Sequence, residues 1–79
     1  MEYKIINVEQ NEDTLTTTVE MTLSTGTRTI DIVHFRPGSV EDIDQSIKNR
    51  VMSEQSKIDA INTVTSLTIA IPVGETIII

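Results

Sequence analysis

The sequence contains no cysteine and no tryptophan, and only one histidine, one tyrosine and one phenylalanine among 79 residues. Without cysteine there is no disulfide framework and no thiolate for a structural zinc site, the devices that commonly stabilise chains this short. A chain of this length forms one domain and buries roughly 60–65 % of the surface its unfolded form exposes. Its core has to suffice, or a partner has to complete it. A nucleophile, base and orienting group would have to be assembled from Ser, Thr and the lone His34, and no spacing points to such a set. Three scattered glycines form no phosphate-binding loop. The expectation is a protein that is not an enzyme and carries no cofactor.

Basic residues are also scarce. Six Lys and Arg against twelve Asp and Glu leave a formal net charge of -6, which disfavours nucleic-acid backbones and anionic membrane surfaces, since both are bound through Lys and Arg. No apolar run approaches the roughly 20 residues needed to span a bilayer. Met1-Glu2-Tyr3-Lys4 lacks the basic region and following apolar stretch of a signal peptide. Protein partners, with no nucleic acid and no membrane, are the expectation, for a chain that starts in the cytoplasm.

What is present begins with strands. Tyr3 to Val8 is rich in β-branched residues, with Ile5-Ile6 leaving its buried face ambiguous. After the polar turn Gln10 to Asp13, the run Thr14 to Leu23 alternates, with Leu15, Val19, Met21 and Leu23 on one face and Thr14, Thr16, Thr18, Glu20 and Thr22 on the other. Ser24-Thr25-Gly26-Thr27 closes a hairpin onto Arg28 to Phe35. There Ile30 and Ile32 alternate with Thr29 and Asp31, but Val33 and Phe35 place apolar groups on the other face, suggesting a bulge or a second contact surface.

A helical segment follows from Pro37 to about Val64. Ser39, three residues before Asp42, has capping-box spacing. At 100° per residue, Val40, Ile43, Ile47, Val51, Ile58 and Ile61 form one stripe, while Glu41, Asp44, Gln45, Lys48 and Asp59 point away. Arg50 and Glu54 fall close to that stripe and Met52 well outside it. A helix of about 25 residues would be near 37 Å long, against about 25 Å for strands of seven or eight residues. These two observations favour a break, with Ser53 capping a second helix from Glu54 to about Asn62; one continuous helix is the alternative. Leu67, Ile69, Ile71 and Val73 then alternate with Thr68, Ala70 and Pro72, predicting a final edge strand. Gly74-Glu75 turns the chain into Thr76-Ile77-Ile78-Ile79.

The predicted fold is therefore α+β: a three-stranded antiparallel meander over residues 1–36, one long or two short helices on one face over residues 37–66, and a C-terminal strand rejoining the sheet, with its tail, over residues 67–79.

His34 and Asp31 project from opposite faces of a regular strand and cannot pair for catalysis. Glu41, Asp42 and Asp44 suit the first-turn dipole of a helix better than a metal, because no calcium-type loop accompanies them. The candidates for partner binding are Val33, His34, Phe35 and Arg36, at the end of the third strand, and the tail Thr76, Ile77, Ile78 and Ile79. Consecutive residues of an extended tail point to opposite faces, so one face of this apolar end looks for a partner unless it tucks under the helix.

The meander leading through His34-Phe35-Arg36-Pro37 into the Ser39-capped helix, then through Lys48-Asn49-Arg50 and Ser53-Glu54-Gln55, resembles small accessory proteins encoded by tailed bacteriophages over residues 14–56. The resemblance implies a virion role and transfers no functional residue. The expected function is a structural protein, a capsid cement or decoration protein or a tail accessory subunit, made in the host cytoplasm and docked in the virion on neighbouring subunits or copies of itself. The alternative is a soluble acidic inhibitor of a host defence protein.

Overall fold

The computed structural model describes every residue from Met1 to Ile79, in the order β1 (Glu2–Asn11), β2 (Thr14–Leu23), β3 (Gly26–Phe35) and α1 (Val40–Ala70). The strands form an antiparallel meander with β2 in the centre. Glu12-Asp13 makes the first turn, with Glu12 at φ 55° and the Thr14 hydroxyl donating to the Asn11 carbonyl at 2.8 Å. The second turn is Ser24-Thr25, and Gly26 leaves it at φ 130°, a conformation that an L side chain rarely adopts.

Register decides which residues meet the helix. β2 and β3 pair without irregularity from Thr14↔Phe35 to Leu23↔Gly26, so no bulge lies near Val33. The shift falls instead in β1, between Ile5 and Asn7. With Ile6 as the extra residue, Tyr3 and Ile5 lie opposite Met21 and Val19, and Val8 still lies opposite Thr17. The bulge thus keeps Tyr3, Ile5 and Val8 on the helix side despite an odd spacing between Ile5 and Val8. Thr17, Val19, Met21, Leu23, Ile32 and His34 are the buried residues of that inner face. The outer face carries Thr16, Thr18, Glu20 and Thr22, with Asp31, Val33 and Phe35 from β3 beside them. A hydrogen bond from the Thr18 hydroxyl to Asp31 Oδ1, 2.7 Å long, ties the two strands on this side.

α1 starts as the sequence predicts: the Ser39 hydroxyl oxygen accepts from the Asp42 amide at 3.1 Å, and Glu41 and Asp42 occupy the first turn. The helix does not break at Ser53, and it does not end near Val64. It is one helix of 31 residues, about 46 Å long, beside strands of about 33 Å. No Gly or Pro lies between Gly38 and Pro72, and once a helix has nucleated each further residue adds a hydrogen bond. Pro72 supplies the stop, because the residue before a proline is forced out of the helical region; Ile71 is extended, at φ -68° and ψ 126°.

The predicted C-terminal strand is accordingly not formed. Leu67 to Ala70 belong to α1, and Ile71 to Ile79 make no strand pairing. The sheet has three strands, with β1 and β3 as open edges. The apolar stripe also divides: Ile47 and Val51 are buried and Ile43 and Ile58 half-buried against the sheet, whereas Val40 and Ile61 are exposed. At the β2–β3 turn the Ser24 amide donates to Gln55 Oε1 at 2.9 Å, and Gln55 Nε2 donates to the Ser24 hydroxyl at 2.8 Å. Beyond Ile58 the helix leaves the sheet, and the molecule extends 64 Å along its longest axis against 24 and 18 Å across.

Candidate functional site

Two regions were singled out for partner binding, and the structure places them apart. Val33 to Arg36 lead into the N-terminal end of α1, whereas Thr76 to Ile79 follow its far end. Within the first group, Val33 and Phe35 lie exposed on the outer face, Phe35 at 80 %. Arg36, at φ 44°, donates from Nε to Asp13 Oδ2 at 2.7 Å and so joins the end of β3 to the first turn. His34 is buried, with Nε2 2.9 Å from the Thr17 hydroxyl. Its position on the same face as Ile32 turns the ring under the helix, so it is a core residue and not a surface for a partner.

The tail is outside the core. Ile77, Ile78 and Ile79 are all exposed, Ile78 at 92 %. A larger apolar surface precedes it. Past Ile58, the part of α1 from Asp59 to Ala70 has no buried residue, and Ile61, Val64, Leu67 and Ile69 stand in solvent. At 100° per residue, an arc of about 200° runs from Leu67 through Val64, Ile61 and Ile58 to Ile69. Asp59, Asn62 and Ser66 lie on the remaining side. No Asp, Glu, Lys or Arg occurs between Asp59 and Glu75.

The three threonine hydroxyls within this segment are internally satisfied. Thr63, Thr65 and Thr68 donate to the carbonyls of Asp59, Ile61 and Val64 at 3.0, 2.9 and 2.8 Å. The side of the segment that carries Ile61, Val64, Thr65 and Thr68 can therefore be buried without breaking a threonine hydrogen bond. The sequence pattern divides these residues between a helix end and a strand, and the structure unites them in one helix. The signals that mark them are the absence of charge from Ala60 to Gly74 and of any breaker before Pro72.

Charge is concentrated on the other part of the molecule. Where α1 leaves the sheet, the nearly buried Glu54 receives Arg28 at 2.9 Å, Arg50 at 3.0 Å and Lys57 at 3.5 Å. The hydrogen bond from Arg50, and the charges of Lys57 and Arg28, outweigh the effect of burial and hold its carboxyl below the usual glutamate range. Arg36 pairs with Asp13 and Lys48 with Asp44, so Lys4 is the one basic side chain without an ion pair. No cluster of three or more His, Asp or Glu residues is arranged to hold a metal ion. Four open surface depressions lie around the sheet, and only one, which includes Met1, Tyr3, Val51 and Met52, is lined mostly by hydrophobic residues. No helix is long and apolar enough to cross a membrane. Comparison with protein-family models, with curated proteins and with solved structures found no match to this chain.

Proposed function

We propose that this chain is a non-enzymatic structural protein that docks onto neighbouring protein subunits through the far half of α1 and the tail Thr76–Ile79. The sheet and the first half of the helix act as its folded head. The observation that carries this reading is the exposed, charge-free apolar surface from Ile61 to Val73, continued by Ile77 to Ile79. Water-exposed apolar area on this scale marks an interaction site. Burying Ile77 and Ile79 alone would contribute roughly 3–6 kcal/mol before the cost of ordering the tail. The resemblance to phage accessory proteins gives the reading its particular form, a small virion subunit of the capsid or tail that holds larger neighbours together.

An acidic inhibitor of a host defence protein is the competing reading. It requires carboxylates gathered on one exposed face, whereas here Glu20 and Asp31 lie on the outer sheet face, Glu12 and Asp13 at the first turn, and Glu41 and Asp42 at the start of α1. The exposed apolar end favours docking over mimicry.

Deleting Thr76–Ile79 tests the proposal. The truncated chain should melt as the full chain does and should fail to co-sediment with the large assembly. If it unfolds, the tail belongs to its own core. Normal incorporation would move the docking surface elsewhere, with Val33, Phe35 and Arg36 as the next candidates.

A further inference from the structure

The chain exposes more surface than its mass warrants. A compact protein of 8.8 kDa should expose about 4,800 Å², and this one exposes 6134 Å². The surplus of roughly 1,300 Å² exceeds the ~800 Å² that each partner contributes to a stable interface. The far half of α1 and the tail, in which no residue is buried, contribute to that surplus, and an occupant of the helix has to match its chemistry.

Three observations identify that occupant. First, every ionisable side chain except Glu75 lies within the first 59 residues of a chain of charge -6. A basic partner would find its complement on the head, whereas the segment from Ala60 to Val73 needs a neutral apolar surface, which a second copy of the same segment supplies. Second, Ile61, Val64, Thr65 and Thr68 have the i, i+3, i+4, i+7 spacing of a helix-packing face, and both threonine hydroxyls are already satisfied. Third, the segment is dominated by β-branched residues, which lose side-chain freedom in a helix. A helix of fewer than about 12–15 residues gains little stability in water without packing, and the far half of α1 has no packing within its own chain.

A lipid surface is a poorer match. Helices that lie on membranes carry Lys or Arg along their polar side, and this one has no basic residue in its last turn.

Geometry sets the direction. Ile58 and Thr65 continue the line of Ile47 and Val51 toward the sheet side of the helix. A second chain approaching in parallel would bring its sheet into the space held by the first. In the antiparallel arrangement the heads sit at opposite ends, where their like charges are farthest apart.

We propose that two copies of this chain pair antiparallel through the far halves of α1, with Ile61, Val64, Thr65 and Thr68 at the contact and the two-fold axis near Val64 and Thr65. This inference rests on the reading that the far half of α1 is the docking element. The apolar arc is wide enough for one such pair to stack on another, so the assembly is a dimer or a pair of dimers.

Sedimentation velocity on the full chain from about 1 to 100 µM, a range bracketing micromolar affinities, should give an even-numbered oligomer. Ile61→Glu should return the monomer while leaving the folded head intact, because Ile61 lies outside the core. The chain has no native thiol, so introduced cysteines report direction: Thr65→Cys should cross-link to its own copy and Ile58→Cys should not. A monomer throughout, a trimer, continued association of Ile61→Glu, or cross-linking at Ile58→Cys would each overturn the proposal. Flotation of a monomeric chain with phosphatidylcholine vesicles would overturn it in favour of lipid. The broader reading is judged separately by co-sedimentation with the large assembly. If the wild-type chain is monomeric yet Ile61→Glu is excluded from the assembly, pairing fails and docking stands. If Ile61→Glu is monomeric and still incorporates, docking through this segment fails and pairing stands.

Discussion

Arg28 Nη1 lies 2.9 Å from Glu54 Oε2, joining β3 to α1 near the level at which the helix leaves the sheet. Arg50 reaches the other carboxylate oxygen, Oε1, at 3.0 Å, and Lys57 completes the set. The polar interruption of the apolar stripe is thus a satisfied charge cluster that lets the helix continue.

The cluster sets a pH dependence. Glu54 is held below the usual glutamate range in the folded chain, so its contribution to stability is complete above the unfolded value of about 4.5 and is lost as pH falls through the lower folded value. The urea midpoint of the wild-type chain should decline over that acid window. Glu54→Gln should be less stable near neutral pH and should show a shallower decline. Equal slopes in the two chains would remove Glu54 as a source of the acid sensitivity.

Ile47 and Ile61 belong to the same stripe but have different surroundings, at 0 % and 65 % exposure. Ile47→Ala should cost about 2–5 kcal/mol, the usual range for emptying a buried site. Ile61→Ala, measured in dilute solution, should change stability by less than about 0.5 kcal/mol, because the side chain is exposed and alanine's higher helix propensity offsets what little is lost. Similar losses from urea melts of the two variants would mean that the far half of α1 is packed.

How far the sequence revealed this arrangement depended on how local each signal was. Alternation along Thr14 to Leu23 and Arg28 to Ile32 placed the faces correctly, although no bulge follows at Val33, and Ser39 with Asp42 marked the helix start, because both patterns act within a few residues. The end of the helix was misread for two reasons. Leu67, Ile69, Ile71 and Val73 imitate a strand, and the break at Ser53 assumed that the helix had to match the strands in length. The missing Gly and Pro before Pro72 was the better guide. In the candidate site, the tail stood out by its apolar composition, with its exposure decided only by the structure, and the surface from Ile61 to Ile69 was hidden by assigning its residues to two elements. His34 shares the parity of Ile30 and Ile32, yet its bond to Thr17 requires the β2–β3 register, a non-local fact.

That bond supports a third prediction. Thr17 and His34 are both buried and meet at 2.9 Å. Thr17→Val keeps the shape and leaves the ring nitrogen without its partner, which should cost about 1–3 kcal/mol. Replacing both, as Thr17→Val with His34→Leu, should recover part of the loss, since no buried polar atom then remains unpaired. A double variant no more stable than Thr17→Val would place the value of His34 in its packing and not in the hydrogen bond.

The division of α1 into a packed and an unpacked half leads to the last prediction. Every buried residue lies between Thr17 and Glu54, and the half-buried contact with the core extends no further than Ile58. Truncation after Asp59 removes eleven helical residues, Ala60–Ala70, and the tail, but none of these contacts. The shortened chain should fold with a urea midpoint close to that of the full monomer, a difference below about 1 kcal/mol, and its far-UV helix signal should fall by about a third. Its cooperativity should persist, because the Arg28, Arg50 and Lys57 ion pairs to Glu54 and the Ser24–Gln55 hydrogen bonds remain. It should also stay monomeric at concentrations where the full chain associates. A truncated chain that fails to fold would mean that the far half of α1 stabilises the head within one molecule; its exposed isoleucines would then have to pack there in solution, and would be unavailable to any other subunit.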